Sequence, residues 1–399
     1  MNKTKSYRHI AFLSTYPPRE CGIATFTEDL ITSMDYSGIL NTHVIAITNS
    51  DNCAYNNKVK DQIRQNERGD YIAMARILNT SKIELLVIEH EYGIYGGDHG
   101  EYILDLVNNL DIPIVTTLHT ILSEPSPKQR LIINELGKKS EKIITMSQNT
   151  KQMLQTIYGV DADKIEVIQH GVPKKLLQAR DTLKKKYGYE NRQIISTFGL
   201  IGPGKGIEHG IEAIAKLINS NTTDDNNFSD HKDVLYLILG QTHPALKEAG
   251  TAYRKKLEDL VDKLDLSKNV KFVNKYLSKD EIIEYLQLSD IYMTPYLTKD
   301  QAVSGTLAYA VGYGKAIVST PYLYAKEMLS DGNGLLAEFS NPDSIADCMK
   351  QILEDPFKKA KMERNTAKIG RMMYWDKVAQ RYTNVLLGII TSASQVGAV

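Results

Sequence analysis

The sequence predicts an α/β protein made of two doubly wound parallel-sheet domains. Three observations lead there. Short apolar runs alternate with longer amphipathic stretches from one end to the other. The runs are mostly continuous rather than alternating, the pattern of strands covered by helices on both faces. At 399 residues the chain is also longer than one hydrophobic core usually supports.

In the first half the expected strands are HIAFL (9–13), HVIAIT (43–48), IELLVIEH (83–90), IPIVTTLH (112–119), KIITMS (142–147) and IEVIQ (165–169). In the second half they are QIISTF (193–198), VLYLIL (234–239), VKFVN (270–274), IYMTP (291–295), AIVST (316–320) and GLLAE (334–338). Helix starts lie between them. Thr25-Phe26-Thr27-Glu28 and Ser278-Lys279-Asp280-Glu281 each have the spacing of a capping box ahead of an apolar periodic run. Asn341-Pro342 reads as a cap followed by proline at the first helical position, leading into a stripe of Ile345, Met349 and Ile352. The polar, Lys-rich stretch 172–192 reads as the junction, a solvated linker and helix face rather than a nucleic-acid patch. It ends the first domain at residue 175 and begins the second at 176. The segment 219–233 reads as an exposed loop, and no internal repeat is visible.

Composition narrows the function classes. With 42% hydrophobic and 24% charged residues, the chain is neither disordered, collagenous nor coiled coil. Its 48 basic and 48 acidic residues cancel, so the bulk field of a general nucleic-acid binder is missing and no nucleic-acid partner is expected. Cys21, Cys53 and Cys348 are too few and too scattered for a disulfide framework or a thiolate zinc site, which favours a reducing compartment. Lys3, Lys5 and Arg8 superficially suggest a signal peptide, but the apolar run at 10–13 is too short. No stretch approaches the roughly 18 apolar residues of a membrane span. A soluble, cytoplasmic protein is expected. The segment 126–142 mixes basic with acidic residues, so at most peripheral membrane contact is expected of it.

In open α/β sheets, ligands bind where strands end. After the first strand come a polar loop, Gly22 and a helix, a place where backbone can approach an anion; an ordinary strand–helix turn is the equal alternative. The seventh strand leads into GLIGPGKG (199–206), with the Gly-x4-Gly-Lys spacing of a phosphate-wrapping P-loop. Gly206 stands where that motif needs a Ser or Thr hydroxyl for magnesium, so a P-loop NTPase is disfavoured. What survives is Lys205 on a glycine-rich loop before a helix, suited to an anionic phosphate without a metal. Ser304, Gly305, Thr306 and Leu307 open a small-residue helix whose backbone donors and dipole suit a phosphate, with tight packing as the bland alternative. His90-Glu91 begins like a zinc-protease motif, but Ile94 replaces the second histidine, and no metal site is expected. His119 and the pair His170-Gly171 each close a strand at the ligand-facing edge, the latter at the mouth of the expected cleft between the domains.

Taken in order, these segments resemble the retaining glycosyltransferases of family 4, which have the two-domain GT-B fold. The likeness runs through PPRECGIATFTEDL, His119, TMSQNTKQML, QHGV (169–172), GLIGPGKG (199–206) and SDIYMTPY…GYGKAIVST…KEMLSDGNGLLAE. It extends to YWDKVAQRYTNVL, similar to the final helix that returns to the first domain, here 375–399. Two departures stand out. Leu200 occupies the place of an arginine, and Gln301 and Tyr309 occupy the places of two glutamates, the first near the transferred sugar and the second at the nucleotide ribose. Asp300 is adjacent to Gln301 and is a candidate to replace the first.

The resemblance implies two Rossmann-like domains facing a cleft, an acceptor domain first and a donor domain second. It implies a GDP- or UDP-linked hexose as donor, mannose or glucose, a glycan or other hydroxyl acceptor, and no cofactor or metal. Lys205 would face the diphosphate together with Gly22 and Ser304–Leu307. His119 would position the sugar. Asp300, Gln301, Tyr309, Gly199 and Asn274 would line the sugar and nucleotide. A sugar-nucleotide-binding regulator that lost the carboxylate pair is the alternative.

Overall fold

The computed structural model describes residues 7–49, 53–219, 231–242 and 247–396. It divides into two compact units, one of Met1–Pro173 with Met373–Val399 and the other of Lys174–Met372. In the first unit the strands are β1 (Arg8–Ser14), β2 (Leu40–Thr48), β3 (Val59–Arg64), β4 (Leu85–His90), β5 (Ile114–Leu118), β6 (Lys142–Thr145) and β7 (Ile165–Val167). They form one sheet in the order β3-β2-β1-β4-β5-β6-β7, and every pairing is parallel. In the second unit β8 (Gln193–Phe198), β9 (Val234–Leu239), β10 (Val270–Val273), β11 (Ile291–Thr294), β12 (Ala316–Ser319) and β13 (Leu335–Leu336) form a parallel sheet in the order β10-β9-β8-β11-β12-β13.

Every expected apolar run contains a strand. The continuous runs are the buried ones: every residue of β4 and β9 is buried, because both faces of a parallel sheet carry helices. The strand the sequence did not reveal is β3, VKDQIR, in which Ile63 alone is fully buried. As an edge strand it keeps polar side chains and gives no apolar run.

Two of the three expected helix starts form as read. Ser278 and Glu281 make a reciprocal capping box. Asn341 caps the helix Pro342–Leu353, whose Ile345, Met349 and Ile352 are buried, each worth roughly 1.5–3 kcal/mol of transfer free energy. The third differs. The helix after β1 spans Gly22–Asp35 and is capped by the Cys21 thiol, which accepts from the Ala24 amide. Thr25 and Thr27 instead bond back to the carbonyls of Cys21 and Ile23 inside the helix, as hydroxyls four residues on from a carbonyl readily do.

The basic junction also differs from a purely solvated face. From the helix Arg180–Tyr187, Lys184 reaches Asp290 at 2.7 Å, Arg180 reaches the same carboxylate at 3.4 Å, and Lys359 joins it at 2.7 Å. Asp290 is buried, and although burial works against its ionisation these cations hold its pKa well below the usual carboxylate range. The segment expected as a loop at 219–233 lies outside the described residues except at its two ends. Among the described residues no helix is long and apolar enough to cross a membrane.

Candidate active site

Each sheet reverses its strand order once, between β1 and β4 in the first unit and between β8 and β11 in the second. Such a reversal leaves a crevice at the strand ends because neighbouring connections depart in opposite directions. The loops carrying Gly22 and Lys205 and the helix start at Ser304 follow strands that flank these reversals, whereas His170, Gly171 and Asn274 follow the edge strands β7 and β10.

In the second unit, β8 ends at Phe198 and is followed by Gly199, whose φ is +136°. Its carbonyl oxygen lies 2.0 Å from where a Cβ on Gly240 would stand, so the paired strand ends approach more closely than side chains permit. The loop then makes a tight turn over Pro203–Lys205 and enters the helix Ile207–Asn219 through Gly206 at φ +59°. A Cβ on Gly206 would fall 2.0 Å from the Pro295 oxygen. Gly206 is a steric requirement there, and the hydroxyl of a magnesium-binding P-loop has no room. The loop is further tied to the chain after β11 by the Leu297 amide, which donates to the Gly204 oxygen at 3.0 Å.

That tie brings Lys205 over the face of Tyr296, with Nζ 4.0 Å from the ring centroid, a favourable cation–π placement. The Tyr296 phenol lies 2.8 Å from Thr306 Oγ1, and a Cβ on Gly199 would sit 3.4 Å from Thr306 Cγ2. Lys205 and Thr306, far apart in sequence, thus meet around one buried tyrosine, with Gly199 beside Thr306. Thr306 opens the helix Gly305–Gly312, and the Ser304 hydroxyl caps it by accepting from the Leu307 amide at 3.3 Å. Ser304 and Leu307 are therefore spent on holding the helix start, both buried. The amides of Gly305 and Thr306 are the ones whose place in the first turn leaves them no intrahelical acceptor.

The remaining candidates are arranged differently. Gln301 donates from Nε2 to the Val303 oxygen at 3.2 Å, bracing its own loop, while Asp300 beside it is exposed. Tyr309 packs edge-on to Phe198 with centroids 6.1 Å apart, and Phe198 also meets Tyr292 at 5.5 Å. Asn274 is exposed just beyond β10, the edge strand two places from β8; it is not among the residues that meet around Tyr296.

In the first unit, Gly22 begins the helix after β1, exposed and with nothing within 4 Å of an added Cβ. A buried hydrogen bond of 2.7 Å between Ser14 and Thr27 fixes that helix to β1. The helix carries Phe26 into an aromatic cluster, with His119 at 4.8 Å, His170 at 5.2 Å and Trp375 at 5.1 Å between ring centroids. Trp375 opens the helix Trp375–Val396, which joins this unit through a 2.6 Å bond from Arg381 to the Val167 oxygen and a Thr117–Tyr382 contact of 3.3 Å. Gly171 finds its reason here. A Cβ on it would overlap Trp375 Cε3 at 2.1 Å, so its absent side chain makes room for the indole rather than for a ligand.

His119 follows β5 and is mostly buried, its side chain 7% exposed. Its Nε2 lies 2.7 Å from Oε2 of Glu89, which is fully buried at the end of β4. The neighbouring histidines are held neutral. Burial lowers His90 to about 3, and the packed surroundings of His170 lower it to about 4 despite its bond to the Gly171 oxygen. Among the described residues no three His, Cys, Asp or Glu side chains are gathered as they would be around a metal ion.

Sequence reasoning missed Tyr296, Phe26, Trp375 and Glu89. The first three are aromatics of ordinary appearance in sequence. Glu89 did carry a signal, an acidic residue inside the apolar run LLVIEH of a central strand, where a charge is rarely placed without a partner.

Comparison with known proteins bears on the family and the fold. The sequence matches Glycosyltransferase Family 4 over residues 22–175 and Glycosyl transferases group 1 over residues 179–369. An uncharacterized glycosyltransferase of Methanocaldococcus jannaschii is 22% identical over 91% of this chain and 93% of its own length. The GDP-mannose-dependent monoacylated alpha-(1-6)-phosphatidylinositol monomannoside mannosyltransferase of Corynebacterium glutamicum is 22% identical over 65% of each chain, so this chain spans somewhat less than two thirds of that relative. Among solved structures, sucrose-phosphate synthase of Thermosynechococcus elongatus superimposes with a TM-score of 0.78 at 14% identity, covering 96% of this chain and all of that one. Anabaena HepE, solved with UDP-glucose, gives 0.73 at 17% identity over 96% of this chain and all of its own. With two parallel-sheet α/β units, family matches along nearly all of residues 22–369 and neighbours of the GT-B fold, the chain belongs to glycosyltransferase family 4.

Proposed function

We propose that the protein is a retaining hexosyltransferase that uses a nucleotide-diphosphate sugar, needs no metal or cofactor, and transfers mannose or glucose to a hydroxyl of a glycan or similar acceptor. The observation that carries this reading is the convergence of Lys205, Tyr296 and Thr306 at the crevice of the second sheet. The costly event is departure of a diphosphate while the sugar becomes oxocarbenium-like, and stabilisation has to be aimed at charge developing on the phosphates. Lys205 brings a point charge to that place. The Gly305 and Thr306 amides, at the positive end of the helix Gly305–Gly312, bring two oriented donors. The glycines at 199 and 206 keep the loop backbone close. The first unit is assigned to the acceptor, with His119 positioning the sugar and the Gly22 backbone offered to the diphosphate. GDP or UDP as carrier is supported by the GDP-mannose-dependent relative and the UDP-glucose-bound neighbour.

The test is a panel of GDP- and UDP-linked hexoses incubated with the protein in excess EDTA, followed by turnover. Lys205→Ala should lower turnover on the order of 100-fold or more while the fold persists, since Lys205 sits on a loop and fills no core. A variant within about threefold of the parent would remove the diphosphate assignment. Sugar-nucleotide binding without turnover by the parent would favour a regulatory protein, a reading for which the loop-bound Gln301 and the Tyr309–Phe198 packing are the supporting observations.

A further inference from the structure

Glu89 has no part in the mechanism above, yet it is a fully buried acid hydrogen-bonded to His119. The carboxylate is fully buried at the end of β4; Oε2 lies 2.7 Å from His119 Nε2, and Oε1 has no hydrogen-bond partner. The Tyr95 phenol donates to the Glu89 backbone oxygen at 2.8 Å rather than to the carboxylate. Tyr382 is also close, its phenol pushed well up first by burial and then by the Glu89 charge. A buried acid kept with a single strong partner costs stability unless that partner matters.

We propose that Glu89 is a positioning residue that sets the ring orientation and tautomer of His119, so that Nδ1 is presented to the substrate as a hydrogen-bond acceptor for a sugar hydroxyl. In this proposal Glu89 acts as a carboxylate, which only accepts, so Nε2 carries the proton and the other nitrogen of a neutral imidazole is an acceptor. Phe26 holds the ring from the side, edge-on at 4.8 Å, and the His119 amide donates to the His90 oxygen at 3.0 Å. Two sides of the ring and its backbone are thus immobilised, leaving Nδ1 as the nitrogen available to a ligand. The recognised chemistry is a hydroxyl that can donate. The proposal rests on the sugar-nucleotide reading given above.

The experiment has two arms. Nitrogen-15 NMR of selectively labelled histidine, with the His119 signals assigned by His119→Gln, reads the tautomer in the parent protein at mildly alkaline pH. Protonated Nε2 with unprotonated Nδ1 is expected; the opposite tautomer overturns the proposal. In the second arm, Glu89→Gln keeps shape but can also donate to Nε2, so the ring tautomer becomes mixed or reversed. Turnover number should fall on the order of 10- to 100-fold, the range of a misplaced reacting group, with donor KM within about threefold. Unchanged turnover, or a raised KM at unchanged turnover, overturns it. If Glu89→Gln does not fold, the parent tautomer decides. A parent that turns over no sugar nucleotide overturns the donor reading and this proposal together, whereas an active parent with an indifferent variant overturns this proposal alone.

Discussion

Replacing Gly171 with alanine probes how the first unit assembles its site. An ideal Cβ at that position lies 2.1, 2.3 and 2.4 Å from three atoms of the Trp375 indole. Carbon atoms rest about 3.5 Å apart or more, so ring or backbone has to retreat by more than about 1 Å. Trp375 is 5% exposed and leans on Phe26, which leaves the indole little room to move. Overpacking of this kind costs about 1–3 kcal/mol, and complete loss of the indole contacts would bring the cost to about 3–5 kcal/mol. We expect about 3 kcal/mol for Gly171→Ala. Urea unfolding followed by fluorescence reads it directly, because Trp375 is the sole tryptophan of the chain; far-UV circular dichroism serves the variants that lack it. The decisive comparison is a double-mutant cycle with Trp375→Ala. Once the indole is gone, the alanine at 171 has space and should cost no more than about 0.5 kcal/mol. Equal costs in both backgrounds would show that the glycine is not there for the indole, and the derivation would fail.

Acid should weaken the first unit before carboxylates titrate. His90 and His170 have folded pKa values lowered to about 3 and about 4, below the unfolded value near 6.5. The unfolded chain therefore takes up protons first, and stability present above about pH 6.5 is lost as pH falls toward 4. At pH 5 the loss should be about 2 kcal/mol per histidine, and a urea midpoint unchanged between about pH 7.5 and 5 would contradict it. Gly206→Ser should destabilise by at least about 2 kcal/mol, since the position needs φ +59° and an added Cβ would fall 2.0 Å from the Pro295 oxygen; a stable variant with nucleoside-triphosphatase activity would reverse the argument against a P-loop. Tyr309→Glu should not improve donor binding, because a carboxylate placed against Phe198 is partly desolvated and unpaired. Donor affinity raised tenfold in that variant, measured by calorimetry, would favour the regulatory reading.

The parallel-sheet architecture was legible from the sequence because its cause is local. Strands buried on both faces must be apolar along their length, and the runs at 85–90 and 234–239 could scarcely be anything else. The strand-end loops followed from that, and with them Lys205, His119 and Ser304. Where burial is one-sided the signal faded, as in β3, and where two side chains could each cap a helix the local pattern chose Thr25 while the chain uses Cys21. What only tertiary structure decided is which residues meet. Gly199, Lys205, Tyr296 and Thr306 come from two connections that depart from adjacent strands. Glu89 and His119 come from neighbouring strands in a register the sequence does not print. The glycine at 171 looked like a ligand contact until an indole from more than two hundred residues later was found against it. Residue type and strand period act over a few residues, whereas contacts between side chains are set by the order in which strands pair, and pairing is a property of the whole sheet.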